Sequence, residues 1–196
     1  MTDKQTIEVY DARAKQYLDL VSRTEPDADL HAFLDAMPAG GHALDLGCGP
    51  GNSAAMMRDA GLIVEAWDAS AEMVAIAQKK FGLDAKQAVF NDLTSESSYD
   101  GIWANFSLLH APKAEFPRHL AAIKTALKPG GVFHIGMKLG AEDHRDKIGR
   151  LYTYFTLDAL KTRLQEAGFT PRRIREGSEA GLSGEVSPFA VILSHA

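Results

Sequence analysis

Along the chain, short apolar runs alternate with stretches in which apolar residues return every three or four positions. The runs have the character of strands buried in a sheet, and the stretches that of amphipathic helices. Strands are predicted at 42–46 (HALDL), 62–67 (LIVEAW), 84–90 (DAKQAVF), 99–105 (YDGIWAN) and 132–137 (VFHIGM), with two later ones at 170–175 and 188–194 (PFAVILS). Leu30, Phe33, Leu34 and Met37 form one helical stripe, and Thr24-x-x-Asp27 ahead of it has the form of a capping box. Phe116, Leu120, Ile123 and Leu127 form a second, stopped by Lys128-Pro129-Gly130-Gly131. Leu157, Leu160, Leu164 and Ala167 form a third, opened by Thr156 and closed by Gly168.

Five alternating strand–helix units followed by a hairpin predict an α/β fold: a doubly wound, mostly parallel seven-stranded sheet with one antiparallel strand and helices on both faces. The Gly- and Ser-rich link 177–187 (GSEAGLSGEVS) reads as a long hairpin loop. At 196 residues the chain is read as one domain, 1–196. Within it lie an N-terminal helical segment (1–38), a ligand-binding core (40–137), a loop on the substrate side (138–156) and a C-terminal helix and hairpin (157–196). Ligands of such sheets sit outside the carboxyl ends of the strands.

One such end reads LDLGCGPGNS, residues 44–53. Gly47, Gly49 and Gly51 permit a tight turn and a close approach of backbone to ligand, ahead of a helix that Asn52 or Ser53 can cap. The spacing G-x-G-x-G is neither the dinucleotide fingerprint nor a P-loop. Asp45 bears on the ligand: a carboxylate beside a pyrophosphate is repulsive by roughly 1–4 kcal/mol near a surface, whereas beside an ammonium or sulfonium it is favourable. A nucleoside ligand carrying positive charge fits this turn.

Composition narrows the field. Net charge is −5, which disfavours a nucleic-acid surface. No apolar run approaches the roughly 18–20 residues that span a bilayer, so no membrane role is expected. A polar N-terminus and a single cysteine, Cys48, point to the cytoplasm. Cys48 is read as a small spacer between glycines. The seven histidines show no metal-ligand spacing, so no metal is expected.

Residues 44–52 resemble the cofactor loop of class I S-adenosylmethionine-dependent methyltransferases, which have a Rossmann-like fold, and further landmarks follow in that family's order. VEAWDAS (64–70) resembles the second-strand end, where Asp68, 17 residues after Gly51, would bind the ribose diol, with Ala69 and Met73 beside it. FNDL (90–93) resembles the adenine corner, with the Asp92 carboxylate on the exocyclic amine and the Leu93 N–H on the ring. YDGIWANFSLLHAP (99–112) resembles the fourth strand and active-site loop, and LKPGGVFHI (127–135) the turn into the fifth strand. YDARAKQY (10–17) resembles a segment that folds over the cofactor, so Tyr10 and Tyr17 would close the pocket and Arg13 would meet the methionine carboxylate.

The resemblance implies S-adenosyl-L-methionine as cofactor and Asn105, Phe106 and His110 around the transferring methyl, with His110 the candidate general base. The loop 138–156 carries four cations and three acidic residues; Arg145 and Arg150, with Tyr152, are its candidates for holding an anionic substrate. The expected activity is in-line methyl transfer to a small-molecule acceptor by a monomer or homodimer. Two other readings stay open on the residues alone: a non-catalytic adenosylmethionine-binding module, and a nicotinamide-dependent oxidoreductase.

Overall fold

The computed structural model describes residues 3–196. Its centre is a seven-stranded sheet built from β1 (His42–Leu46), β2 (Ile63–Asp68), β3 (Ala85–Gln87), β4 (Tyr99–Asn105), β5 (Leu127–Lys138), β8 (Thr170–Ala180) and β9 (Val186–His195), in the order β3-β2-β1-β4-β5-β9-β8. β9 alone runs opposite to the other six strands of this sheet. A separate pair, β6 (His144–Arg145) and β7 (Leu151–Tyr152), lies in the segment 138–156. The helices are α1 (Lys4–Val21), α2 (Ala28–Ala36), α3 (Asn52–Asp59), α4 (Ala71–Phe81), α5 (Phe116–Ala126) and α6 (Leu157–Glu166).

Strand alternation sorts the core into two faces. Leu44 and Leu46, Ile102 and Ala104, and Phe133 and Ile135 pack with Phe116, Leu120 and Ile123 of α5 and with Leu160 and Leu164 of α6. Residues of the opposite alternation, Ala43, Trp103 and Val132, meet Leu30 and Phe33 of α2 on the other face. Asp45 belongs to that second face by the same alternation, at the last turn before the glycines. A carboxylate is thus carried inward by a strand that the apolar pattern holds in register.

Several sequence expectations change. Asp27, not Thr24, caps α2, its Oδ1 accepting from the N–H groups of Asp29 and Leu30. Gly51, at φ +91°, precedes α3 with no side-chain cap, and Asn52 instead donates its amide to the Val21 carbonyl. A Cβ at Gly51 would stand 2.9 Å from that of Ala77, so α3 and α4 meet through this glycine. The long hairpin loop is a short turn, because β8 runs on to Ala180 and β9 begins at Val186. Thr156 does cap α6, accepting from Ala159 N–H.

Candidate active site

The carboxyl ends of β1, β2 and β4 open onto two adjoining cavities roofed by α1. The first, about 80 Å³, is lined by Asp68, Ala69, Met73, Val89 and Phe90 among others. The second, about 430 Å³, is lined by Asp45, Cys48, Asn105, Lys138, Arg150 and Tyr152 among others. Tyr10, Tyr17, Gly47, Gly49 and Asn105 border both.

The glycine turn divides them. Gly47 and Cys48 both donate N–H to the Trp67 carbonyl at 2.8 Å, tying the turn to β2. Gly47 sits at φ +84°, and a Cβ there would fall 2.3 Å from the Ser107 Cβ; Ser107 in turn donates to the Leu46 carbonyl at 2.6 Å. Only glycine lets the ends of β1 and β4 come this close. At the next strand end, Asp68 accepts from Gly49 N–H at 2.8 Å and from Ser70 N–H at 2.9 Å. A carboxylate has about four acceptor sites, so two remain for a ligand. Burial pushes its pKa up to about 6 against those two backbone donors.

Asp45 is 2% exposed, and its Oδ2 has no hydrogen-bond partner. Burial, with the nearby Asp68 charge, pushes its pKa up to about 8. A buried acceptor without a donor is costly, and its position on the wall of the larger cavity gives a cationic ligand group the means to relieve that cost.

A directional chain of hydrogen bonds crosses the roof. His110 Nδ1 lies 2.6 Å from the Leu151 carbonyl, which can only accept, so Nδ1 carries the proton. His110 Nε2 then accepts from the Tyr10 hydroxyl at 2.8 Å, and that hydroxyl accepts from Arg150 at 2.8 Å. Arg150 is itself bound to Asp146 through Nε and NH2, with both side chains almost wholly enclosed. Burial, reinforced by the Arg150 and Lys138 charges, brings His110 down to about 3, so the ring is neutral.

Residues 43–131 match the family described as "Methyltransferase domain". The chain is 35% identical over 145 residues to a cypemycin N-terminal methyltransferase from Streptomyces sp., a match covering 70% of this chain and 59% of that protein. It is 32% identical over 139 residues to a trans-aconitate 2-methyltransferase from Mycolicibacterium gilvum (strain PYR-GCK), covering 69% of this chain and 49% of the relative. This chain therefore spans about half the length of the curated relatives it matches. Its fold is similar to that of a 1,6-didemethyltoxoflavin-N1-methyltransferase from Burkholderia thailandensis, solved with that compound and S-adenosylhomocysteine bound (TM-score 0.72, 22% identity, 96% of this chain and 87% of that one). Residues 43–131 are thus a methyltransferase domain, in keeping with the resemblance to class I S-adenosylmethionine-dependent methyltransferases.

The two cavities gather most of the residues expected from the sequence and leave out four. Asp45, Gly47, Cys48, Gly49, Asp68, Ala69, Met73, Asn105, His110, Tyr10, Tyr17, Arg150 and Tyr152 line one cavity or both. Arg13 does not: a kink at that residue (φ −119°, ψ 18°) takes it off the tyrosine face, and it bonds Gln16 in the exposed layer. Asp92 is exposed and turns back to accept from Val89 N–H at 2.9 Å, while the Leu93 side chain is core. Arg145 grips both oxygens of Asp3, at 2.9 and 2.8 Å, instead of facing a substrate. Arg150 reaches the cavity but is already paired with Asp146.

The His110 lone pair, expected to take a proton, is engaged by Tyr10. Burial holds the Cys48 thiol well above its usual range, in keeping with a spacer. Among the described residues no group of three or more His, Cys, Asp or Glu could hold a metal, and no helix is long and apolar enough to cross a membrane.

Sequence reasoning missed Arg23, whose buried Nε is unpartnered beside the larger cavity, and the apolar wall of Val89 and Phe90. The latter carried a signal, being the two residues ahead of the Asp92 that was singled out. Phe106, a non-glycine residue at φ +54°, also escaped notice as strained; its N–H is held by the Gly136 carbonyl at 3.1 Å. Strain of this kind gathers at functional sites.

Proposed function

We propose that this protein transfers a methyl group from S-adenosyl-L-methionine to an anionic small molecule. The observation that carries this reading is the unpartnered, buried Asp45 Oδ2 on one side of the glycine turn, with Asp68 on the other. The residues fit the cofactor at both ends. Asp68, with two acceptor sites left, suits a ribose diol, and Val89 and Phe90 give a purine an apolar wall. Asp45 faces the larger cavity, where the ammonium of the methionine moiety would supply its missing donor, and Arg23 Nε suits the carboxylate of that moiety.

Bound there, S-adenosylmethionine supplies an electrophilic methyl for in-line attack. The chain's own contribution is chiefly placement, which can account for up to about 7–11 kcal/mol of a barrier. Asn105 and Phe106, fixed at the border of the cavities, would hold the acceptor against the methyl. With its lone pair bound by Tyr10 and its pKa low, His110 is read as a positioning residue that keeps α1 closed over the cofactor, while Tyr17 covers the glycine turn. An acceptor that arrives already deprotonated suits this site. The relatives named for trans-aconitate, a carboxylate, are in keeping with an anionic small-molecule acceptor.

Two substitutions test the assignment end by end. Asp68→Ala is expected to weaken both S-adenosylhomocysteine and 5′-methylthioadenosine, which lacks the amino-acid half, by about 1–3 kcal/mol. Asp45→Asn is expected to weaken S-adenosylhomocysteine alone. Calorimetric titration reads both, and equal losses for the two ligands in Asp45→Asn would remove its assignment to the ammonium.

A further inference from the structure

The expected anion clamp, Arg145 and Arg150, is not free to act: each guanidinium already holds a carboxylate. The other cations around the larger cavity are similarly engaged, Arg23 by Asp27 and Arg175 by Asp29. In the same loop region, Lys147 pairs with Glu185. Lys138, the last residue of β5, differs. It is 8% exposed, lines the larger cavity, and among the described residues its Nζ has neither a hydrogen-bond nor an ion-pair partner. The ammonium stands 4.3 Å over the Tyr152 ring centroid, and the Arg150 guanidinium faces the same ring at 5.1 Å.

Both cations converge on the Gly181 turn between β8 and β9. A Cβ at Gly181 would lie 3.4 Å from Lys138 Nζ and 4.0 Å from Arg150 NH2. A side chain in that place would fill the space in front of the ammonium. Lys138 owes its place to pairing: it is opposite Phe189 at the end of β5, beyond Gly136, which is opposite Asn105. The ammonium is therefore on the acceptor side of the site.

We infer that Lys138 is the substrate-anchoring cation of this enzyme, binding a carboxylate group of the methyl acceptor in the corner bounded by Tyr152, Arg150 and Gly181. An ammonium at the end of a largely enclosed side chain, with a ring face beside it and no acceptor in reach, is incompletely satisfied, and burial together with Arg150 already holds its pKa below the usual lysine range. An incoming carboxylate supplies the missing acceptor and the missing charge, in a site where charge-assisted bonds are strongest. Glu179, exposed on the same rim, stays outside ion-pair distance and leaves Lys138 open to the ligand. This inference deepens the reading of the site as a methyltransferase centre and rests on it.

The test is calorimetric titration of the full chain, saturated with S-adenosylhomocysteine, with benzoate and succinate and with their uncharged counterparts benzamide and succinamide. The carboxylates are expected to bind wild type and the amides not. Lys138→Met should weaken the carboxylates by about ten-fold or more, and Lys138→Arg should restore most of the loss. S-adenosylhomocysteine affinity should be the same in all three proteins. Amides that bind as well as carboxylates, carboxylates that fail to bind wild type, or carboxylates indifferent to Lys138→Met would each overturn the inference. Should Lys138→Met not fold, the carboxylate–amide pairs on wild type still decide it. Loss of S-adenosylhomocysteine binding by wild type itself would instead count against the methyltransferase reading.

Discussion

Asp45 brings together a strand position, a buried oxygen without a donor and a pKa near 8, and these combine into a pH dependence. Its carboxyl ordinarily ionises near 3.8, so in the empty protein it stays protonated through neutrality. The stability this neutral form gives is complete below the unfolded value and is lost as pH rises through about 8. A cationic group needs the ionised form. S-adenosylmethionine binding should therefore expel a proton and strengthen from about pH 6 to about pH 7.5, and Asp45→Asn should flatten that dependence. Calorimetry in buffers of different ionisation enthalpy measures the proton directly; zero proton release in wild type would contradict the account.

At this scale the sequence was informative where a residue's place follows from its strand. Asp68 ends β2 and Asp45 stands one residue from the end of β1, in strands whose apolar neighbours fix their direction. Arg13, Asp92 and Arg145 stand outside the cavities because their partners, Gln16, the Val89 amide and Asp3, are set by a kink, a one-turn helix and a contact 142 residues away. Spacing encodes none of these.

Among the elements, α1 has the most to do with access. It is tied across the cavity mouth by long-range side-chain bonds: Thr6 Oγ1 to Leu151 N–H at 2.9 Å, Tyr10 to His110 and Arg150, Asp3 to Arg145, and Asp11 to Ser70. Few of its side chains are core, so polar contacts hold it. Tyr10→Phe keeps the ring and removes the hydroxyl that joins His110 to Arg150. With two enclosed groups left unpaired, the substitution should cost about 1–3 kcal/mol of stability, read by urea unfolding. A change below a few tenths would mean that water replaces the hydroxyl and the chain of bonds is not structural.

The strands at the sheet centre were legible from their apolar runs, whereas β8 was underestimated. Its outer half, REGSEA, is exposed and polar, and is a strand only because β9 pairs with it along its length. The segment 138–156 looked like an open loop for a similar reason. Its β6 and β7 are two residues each, too short to show alternation.

For the whole molecule, the order β3-β2-β1-β4-β5-β9-β8 puts the carboxyl ends of β1, β2 and β4 side by side, and the two cavities open there. The glycine turn and α1 divide and cover that opening. Asp68 and Asp45 stand on the walls of these cavities, and the Lys138 ammonium, unpaired among the described residues, lines the larger one. The architecture was readable from the alternation of strands and helices, and the placing of Asp45 and Asp68 on the cavity walls from the strands that carry them. Which of several cations is left without a partner among the described residues was not readable. Burial and pairing decide that, and both are tertiary.

The central claim is that the paired cavities bind an adenosyl sulfonium compound. Titration of the purified protein with S-adenosylmethionine, S-adenosylhomocysteine and NADH in parallel tests it most directly. The account predicts micromolar binding of both adenosyl compounds and none of NADH. Binding of NADH alone, or of none of the three to folded protein, would contradict it.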